Sequence, residues 1–319
     1  MSEQMKAVVI NQYGAAEVLQ FQDIPIPQIK SDQMLVKVYA TSINPIDWKT
    51  RNGMLKIIFG NKFPMVLGYD ISGEVVQVGS EVTQFRPGDQ IYACLDTATS
   101  GSYAEYAAVS EKVAYFKPQN ISHEEAAAVP LAAETALQAL RDLGEIKVGS
   151  RILINGASGG VGTFAVQIAK AKGAQVTAVC SQKNAELVNS LGADRIIDYT
   201  FQDFTKESVK YDIIFDAVAN RSFWECQNIL SSNGVYVTTV PDFANSAAIL
   251  ITQLIPGKKA KFILLKSNGK DLAYLKELIE ANKLRPIIAR TYPLSEIAQA
   301  HAESEKGRVV GKLVIAVSS

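Results

Sequence analysis

A chain of 319 residues has room for about two domains, and 48% hydrophobic against 20% charged residues supplies the material for a large buried core. With 32 basic and 32 acidic residues the formal net charge is zero, which excludes a global pull towards nucleic acid or an anionic membrane. Any phosphate-binding charge must be local.

The opening MSEQMKAVVI has no basic segment leading into a long apolar run, so it does not read as a secretory signal. MKAVVI, VLQFQDI, QMLVKVYATSI, GYDISGEVVQVG, DQIYACL and YAEYAAV then follow as short strands rich in Val, Ile and Tyr. Asn52-Gly53 and Pro87-Gly88-Asp89 punctuate them, and the close spacing suggests a barrel-like β domain. Near Ser122 the pattern changes to the alanine-rich, helical SHEEAAAVPLAAETALQALRDLG. Beyond it RILIN, QVTAVC, RIIDY, YDIIFDAV and GVYVTTV alternate with helical segments, the signature of a parallel sheet covered on both faces. In the helix after RILIN, Val161, Phe164, Ala165, Ile168 and Ala169 recur at helical spacing and predict one buried stripe. The apolar stretch 247–255 contains Thr252 and Gln253 and stops at Pro256, too short for a membrane span. KFILLK, a helix DLAYLKELIEAN and a strand VGKLVIAV close the chain. Cys94, Cys180 and Cys226 are odd in number and far apart, which favours a reducing cytoplasm.

The strongest chemical signal is the turn after RILIN: Gly156, Ala157, Ser158, Gly159, Gly160, Val161 and Gly162 open directly into a helix. Such a turn lets backbone N–H groups approach a pyrophosphate at the positive end of the helix dipole. Ala157, Gly159 and Gly162 fill the spacing of a dinucleotide fingerprint, alanine replacing its first glycine. Enzymes that use NAD place an acid about 20 residues later, at the end of the second strand. Here that place holds Cys180, Ser181, Gln182 and Lys183. A 2′-phosphate would be repelled by a carboxylate and held by Ser181 and Lys183, so NADPH is expected. The competing view of Lys183 is a solvated residue opening a helix.

A zinc site needs a cluster of Cys or His. The chain has only His123 and His301, each on a helical segment, and its cysteines are scattered, so no metal is expected.

The motifs SINPIDWKTRNG, FPMVLGYDISGEVVQVGSEVTQFRPGDQIYA, GSYAEYAAV, VPLAAETALQAL, NGASGGVG, LGADRIIDY and GRVVGKLVI occur in order across nearly the whole chain. On them the sequence resembles the medium-chain dehydrogenase/reductase superfamily, in its zinc-independent quinone oxidoreductase and enone or alkenal reductase group. The resemblance implies an α/β chain with a GroES-like β-barrel domain at 1–122, completed by 264–319. A Rossmann domain with a doubly wound parallel sheet, binding NADPH, would occupy 123–263. In zinc-dependent relatives a cysteine stands where Asn44 is, and Gly-His-Glu where Gly68-Tyr69-Asp70 is.

Carried over by position, Asn44 would face the nicotinamide and substrate, and Thr135 the carboxamide. Ser181, Lys183 and Tyr199 would meet the 2′-phosphate, and Ala217 and Val218 the adenosine. Val240 and Pro241 would pass the nicotinamide ribose, and Lys312 would approach from the returning segment. For Ala217, Val218 and Val240, plain core packing is the alternative. Hydride delivered to a quinone, or to the β-carbon of an enone, leaves negative charge on oxygen that the protein must stabilise. Asn44, Lys49, Tyr69 and Tyr13 are the candidates for that hydrogen bonding, while Asp47 and Asp70 would hold loops through backbone bonds. Quinone reduction is the first expectation, enone double-bond reduction the second, and a non-catalytic dinucleotide-binding protein the third. The family also implies a homodimer paired through the Rossmann domain.

Overall fold

A computed structural model describes residues 3–96, 101–240 and 242–317. The chain divides into two compact units. The first comprises Met1–Ala132, Lys266–Ala281 and Pro286–Ser319, the second Ala133–Leu265 and Asn282–Arg285. The first break falls after Ala132 and not at residue 122, inside an alanine-rich helix where composition gives no signal.

The first unit opens with β1 (Gln4–Ile10), β2 (Gln20–Pro25) and β3 (Gln33–Ile43). Next come helices α1 (Pro45–Arg51) and α2 (Lys56–Phe59), then β4 (Met65–Val66) and β5 (Asp70–Val78). Strands β6 (Gln90–Cys94), β7 (Tyr106–Ser110) and β8 (Ala114–Phe116) precede helices α3 (His123–Ala127) and α4 (Pro130–Gln138). The single helical segment expected from residue 122 onward is thus two helices: Pro130 lacks the N–H that would continue the first and opens the second. Ser122 caps α3 with Glu125 reciprocating.

The second unit alternates β9 (Arg151–Asn155), α5 (Gly160–Ala171), β10 (Gln175–Cys180), α6 (Ala185–Ser190), β11 (Arg195–Asp198) and β12 (Tyr211–Asp216). It ends with α7 (Phe223–Cys226), β13 (Leu230–Thr238), α8 (Phe243–Leu254) and β14 (Lys259–Phe262). The chain then returns to the first unit with α9 (Gly269–Glu280), β15 (Ile288–Pro293), α10 (Ile297–Glu305) and β16 (Lys312–Ala316).

Among the described residues the strands form three sheets. In the first unit β2-β1-β4 is antiparallel, and a larger sheet runs β15-β16-β3-β5-β6-β8 with β7 also paired to β3. Strand β3, antiparallel to β5, β7 and β16, has burial that alternates along most of its length, one side on the Met34, Val36, Val38 core and the other partly open, whereas β15 and β16 pair in parallel. The second unit's sheet runs β11-β10-β9-β12-β13-β14, wholly parallel, with the order reversing between β9 and β12. That is the doubly wound Rossmann order, and its strands are buried runs such as Ile152–Asn155 and Val176–Cys180.

The helix α5 departs from its expected single stripe. Val161 is only half-buried, while Thr163, Val166 and Gln167 are buried with the predicted residues. Gln167 is held by the segment 282–285: it donates to the Arg285 carbonyl at 3.0 Å and accepts from the Arg285 N–H at 2.8 Å. A glutamine satisfied at both ends can be covered as fully as an apolar residue.

Candidate functional site

At the carboxyl ends of the parallel strands, β9 turns through Gly156 in a left-handed conformation (φ +79°) and α5 begins at Gly160. Gly159 is the N-cap and offers no side-chain bond, so the N–H groups of Gly160 and Val161 have no acceptor one turn back. A Cβ on Gly162 would lie 2.1 Å from the Gly156 carbonyl oxygen, so the helix and the turn touch backbone to backbone there. Ala157 is fully buried, while Ser158, Gly159 and Gly160 are half-buried. The cradle is open above Gly159, where a Cβ would meet only the Gly156 oxygen at 3.4 Å.

The neighbouring strand ends are tied to this turn. Asn184 donates to the Ser158 hydroxyl at 3.0 Å, which brings the Ser181–Asn184 turn beside the glycines. The Gln182 N–H reaches Asp198 Oδ2 at 3.2 Å, and the Tyr199 N–H the Cys180 carbonyl at 3.3 Å. Ser181, Lys183 and Tyr199 therefore share one corner. Lys183 is exposed, and among the described residues its ammonium has no ion pair. Tyr199 is 61% exposed, an aromatic face with no packing role. Asp198 was not among the predicted residues, because the sequence rule looks at the end of the second strand and this acid ends the third. Its carboxyl is held below the usual range, chiefly by the Thr200 N–H, and its oxygens are engaged by Gln182 and Thr200.

Asp216, at the end of β12, is fully buried and organises the next wall. It accepts from the N–H groups of Val218, Ala219 and Arg221, from Asn155 Nδ2 at 2.9 Å and from the Tyr236 hydroxyl at 3.0 Å. This holds Ala217 half-buried and Val218 51% exposed, while Val240 at the end of β13 is 39% exposed. Core packing therefore fails to account for Val218 and Val240. Thr135, on α4, is 8% exposed. Pro241 lies outside the described residues.

The first unit carries a second polar centre where β3 meets β5 and β16. Asp70 is fully buried and accepts from Ser42 Oγ at 2.5 Å, Asn44 Nδ2 at 2.7 Å and the Leu131 N–H at 2.7 Å. Lys312 is 4% exposed. Its Nζ donates to Asn44 Oδ1 at 2.5 Å and to the Ile43 carbonyl at 3.3 Å, and it lies 3.5 Å from Asp70. The Asn44 carboxamide is thus oriented at both ends, and its own N–H is held by Asp47 Oδ2 at 2.7 Å. Asp47 thus holds the Asn44 backbone, while Asp70 takes the carboxamide itself. Burial lifts the Asp47 carboxyl to about 7.

Lys49 follows on α1, half-buried, its ammonium 5.5 Å from the Trp48 ring, and burial lowers its pKa. Tyr69 is 8% exposed and burial drives its hydroxyl upward. Tyr13 binds the Gly60 carbonyl. So Asn44 and Lys312 stand together in this unit, with Lys49 and Tyr69 near them in the chain, whereas the glycine turn, Ser181, Lys183, Tyr199, Ala217, Val218 and Val240 stand on the other. Sequence reasoning missed Arg51, Tyr103 and the role of His301, since only the fold brings them together.

Among the described residues no group of three or more His, Cys, Asp or Glu could hold a metal ion. Of the two carboxylates at this centre, Asp70 stands beside the Lys312 ammonium and Asp47 accepts from the Asn44 N–H. No helix among the described residues is long and apolar enough to cross a membrane.

A family model for the alcohol dehydrogenase GroES-like domain matches residues 30–119, and one described as zinc-binding dehydrogenase matches 191–315. The mitochondrial NAD(P)H oxidoreductase RTN4IP1 of Mus musculus is 36% identical, across 98% of this chain and 89% of its own. A 2-methylene-furan-3-one reductase of Solanum lycopersicum is 36% identical across 98% of this chain and 79% of its own. The solved quinone oxidoreductase of Coxiella burnetii superposes with a TM-score of 0.90 at 36% identity, covering 99% and 100% of the two chains. Sheet order, glycine turn and ordered motifs agree with these matches, and the chain belongs to the medium-chain dehydrogenase/reductase superfamily, in its group of quinone oxidoreductases and enone reductases, and is an oxidoreductase.

Proposed function

We propose that this chain uses NADPH to reduce a small quinone, in a zinc-free site. The observation that carries the reading is the pairing of the open glycine turn with an unpartnered Lys183 ammonium beside Ser181, where a carboxylate would stand in an NAD enzyme. The second unit would hold the dinucleotide and the first the substrate. The N–H groups at the start of α5 would take the pyrophosphate, Ser181, Lys183 and Tyr199 the 2′-phosphate, and Ala217 and Val218 the adenosine. Thr135, Val240 and Pro241 would border the nicotinamide. When bound, NADPH supplies the hydride.

What the chain supplies is a fixed dipole and a fixed charge. Asn44, oriented by Asp70 and Lys312, offers an amide that needs no reorganisation when oxygen becomes negative, and Lys312 brings positive charge behind it. Lys49 is the candidate to deliver a proton, its lowered pKa easing release, while the raised pKa of Tyr69 confines its hydroxyl to hydrogen bonding. Reduction of the carbon–carbon double bond of an enone needs the same oxyanion support, and the tomato relative's name favours it as the second reading.

The test is Lys183→Ala. A lost charge-assisted bond is worth about 1.5–3 kcal/mol, so KM for NADPH should rise about 10- to 100-fold with KM for NADH nearly unchanged. An equal change for both cofactors would remove the phosphate assignment. A panel of a 1,4-quinone, a 2-alkenal and a saturated aldehyde then separates the two substrate readings.

Homodimerisation through the second unit is proposed as well. β14 is the outer strand of its sheet, and α8 exposes Phe243, Leu250 and Leu254 at 92%, 68% and 88%. Light scattering should give twice the chain mass at micromolar concentration, and a monomer would end this reading. Cys94, Cys180 and Cys226, buried and far apart in the chain, favour a reducing compartment such as the cytoplasm.

A further inference from the structure

A buried chain of hydrogen bonds runs behind Asn44, through residues that touch neither cofactor nor substrate in the reading above. Arg51, at the end of α1, is 1% exposed. Its Nε binds the Gly14 carbonyl at 3.2 Å, one Nη pairs with Glu305, and the other lies 3.4 Å from His301 Nδ1. His301, fully buried on α10, has its Nε2 3.1 Å from the Tyr103 hydroxyl. Tyr103 is fully buried, and its hydroxyl faces Asp47, whose Oδ1 is buried with no direct hydrogen-bond partner.

The proton positions follow from the donor inventory. A guanidinium can only donate, so His301 Nδ1 must accept. Burial, with the charge of Arg51 beside it, holds the His301 pKa down to about 3, so the ring is neutral and its one proton sits on Nε2. That proton goes to the Tyr103 oxygen. Tyr103 then has its own O–H left to donate, and the one orphaned acceptor facing it is Asp47 Oδ1. The spare donor and the spare acceptor lie side by side without a direct bond between them, and buried polar groups require that such a pair be closed.

We infer that Tyr103 and His301 are positioning residues: they pass a single hydrogen-bond direction from Arg51 to Asp47, and so fix the carboxylate that holds the Asn44 backbone. The chain ties the end of α1, at Arg51, to its first turn, at Asp47, through side chains from two distant segments. Helix α1 follows Asn44 directly, so slack at either anchor moves the carboxamide. This inference rests on the proposed role of Asn44 in reduction, and its test separates the two.

Tyr103→Phe keeps the ring and removes only the hydroxyl. Three readouts are made on it: thermal unfolding, hydrogen exchange at the Asn44 amide, and kcat against KM. The ring's packing is unchanged, so the unfolding midpoint should fall by only a few degrees. Exchange at Asn44 should quicken about tenfold, since a weakened buried bond is worth about that factor. kcat should fall about tenfold or more with KM for NADPH unchanged, because misplacement costs rate rather than cofactor affinity. Adding Asp47→Asn to Tyr103→Phe should cost kcat no more than Asp47→Asn alone. Unchanged exchange at Asn44 would overturn the inference whatever the turnover. Faster exchange with no loss of kcat would keep the chain and dismiss Asn44 from the reaction.

Discussion

Lys312→Met is expected to destabilise the protein by about 3–5 kcal/mol in urea unfolding, because it strands the buried Asp70 carboxylate. The pair is 4% and 0% exposed, so neither water nor salt screens the loss. After the substitution Asp70 keeps Ser42, Asn44 and the Leu131 N–H, three neutral donors without a compensating charge. The penalty is for breaking the pair rather than for lacking it. Asp70→Asn combined with Lys312→Met should therefore recover part of the stability lost by Lys312→Met alone. Activity should not recover with it. The Asn44 Oδ1 would still lack its ammonium donor, and the amide would be free to turn over. A double variant as inactive as Lys312→Met yet more stable is the expected outcome. Equal stability of both variants would mean that Asp70 and Lys312 are independent.

The sequence made some of this legible and hid the rest, for reasons that differ by residue. RILIN and QVTAVC coincide with β9 and β10 because a parallel strand covered on both faces must be an unbroken apolar run. The glycine turn was equally plain, since close approach of backbone to backbone leaves few residues to choose from. Strand β15 was missed: its sequence IARTYP contains charge and proline and lies at the edge of the larger sheet, where such residues are tolerated. KFILLK was placed two residues late, because β14 begins with Lys259-Ala260, which composition does not mark as strand. Lys312 and Asp70 could not be paired from a net charge of zero, which averages over every buried couple. The Arg51–His301–Tyr103–Asp47 chain was out of reach for a similar reason. Each member is ordinary in its own segment, and their meaning arises only where α1, α10 and the 102–103 segment converge.

Gly162→Val and Gly159→Ala should part company, and the contrast tests the cradle more sharply than either substitution alone. At Gly162 the new Cβ would sit 2.1 Å from the Gly156 oxygen and 2.8 Å from Ala157 Cα, both backbone atoms of the turn itself. No side chain can step aside, so the turn must open or α5 must retreat from it. Either way the cost is about 3 kcal/mol or more, and dinucleotide affinity should fall at least about 100-fold. At Gly159 the backbone is extended, and an alanine Cβ would make ordinary contact with a single atom. The fold should not notice: the unfolding midpoint of Gly159→Ala should match the parent. What the methyl would occupy is the space above the N-terminus of α5, where the N–H groups of Gly160 and Val161 face no acceptor of their own helix. If pyrophosphate binds there, KM for NADPH rises about tenfold or more with stability intact, since an anion held by main-chain donors must come within hydrogen-bond distance. An unchanged KM in a fully stable Gly159→Ala would mean that the phosphate does not lie against this helix, and the dinucleotide assignment of the turn would fail with it.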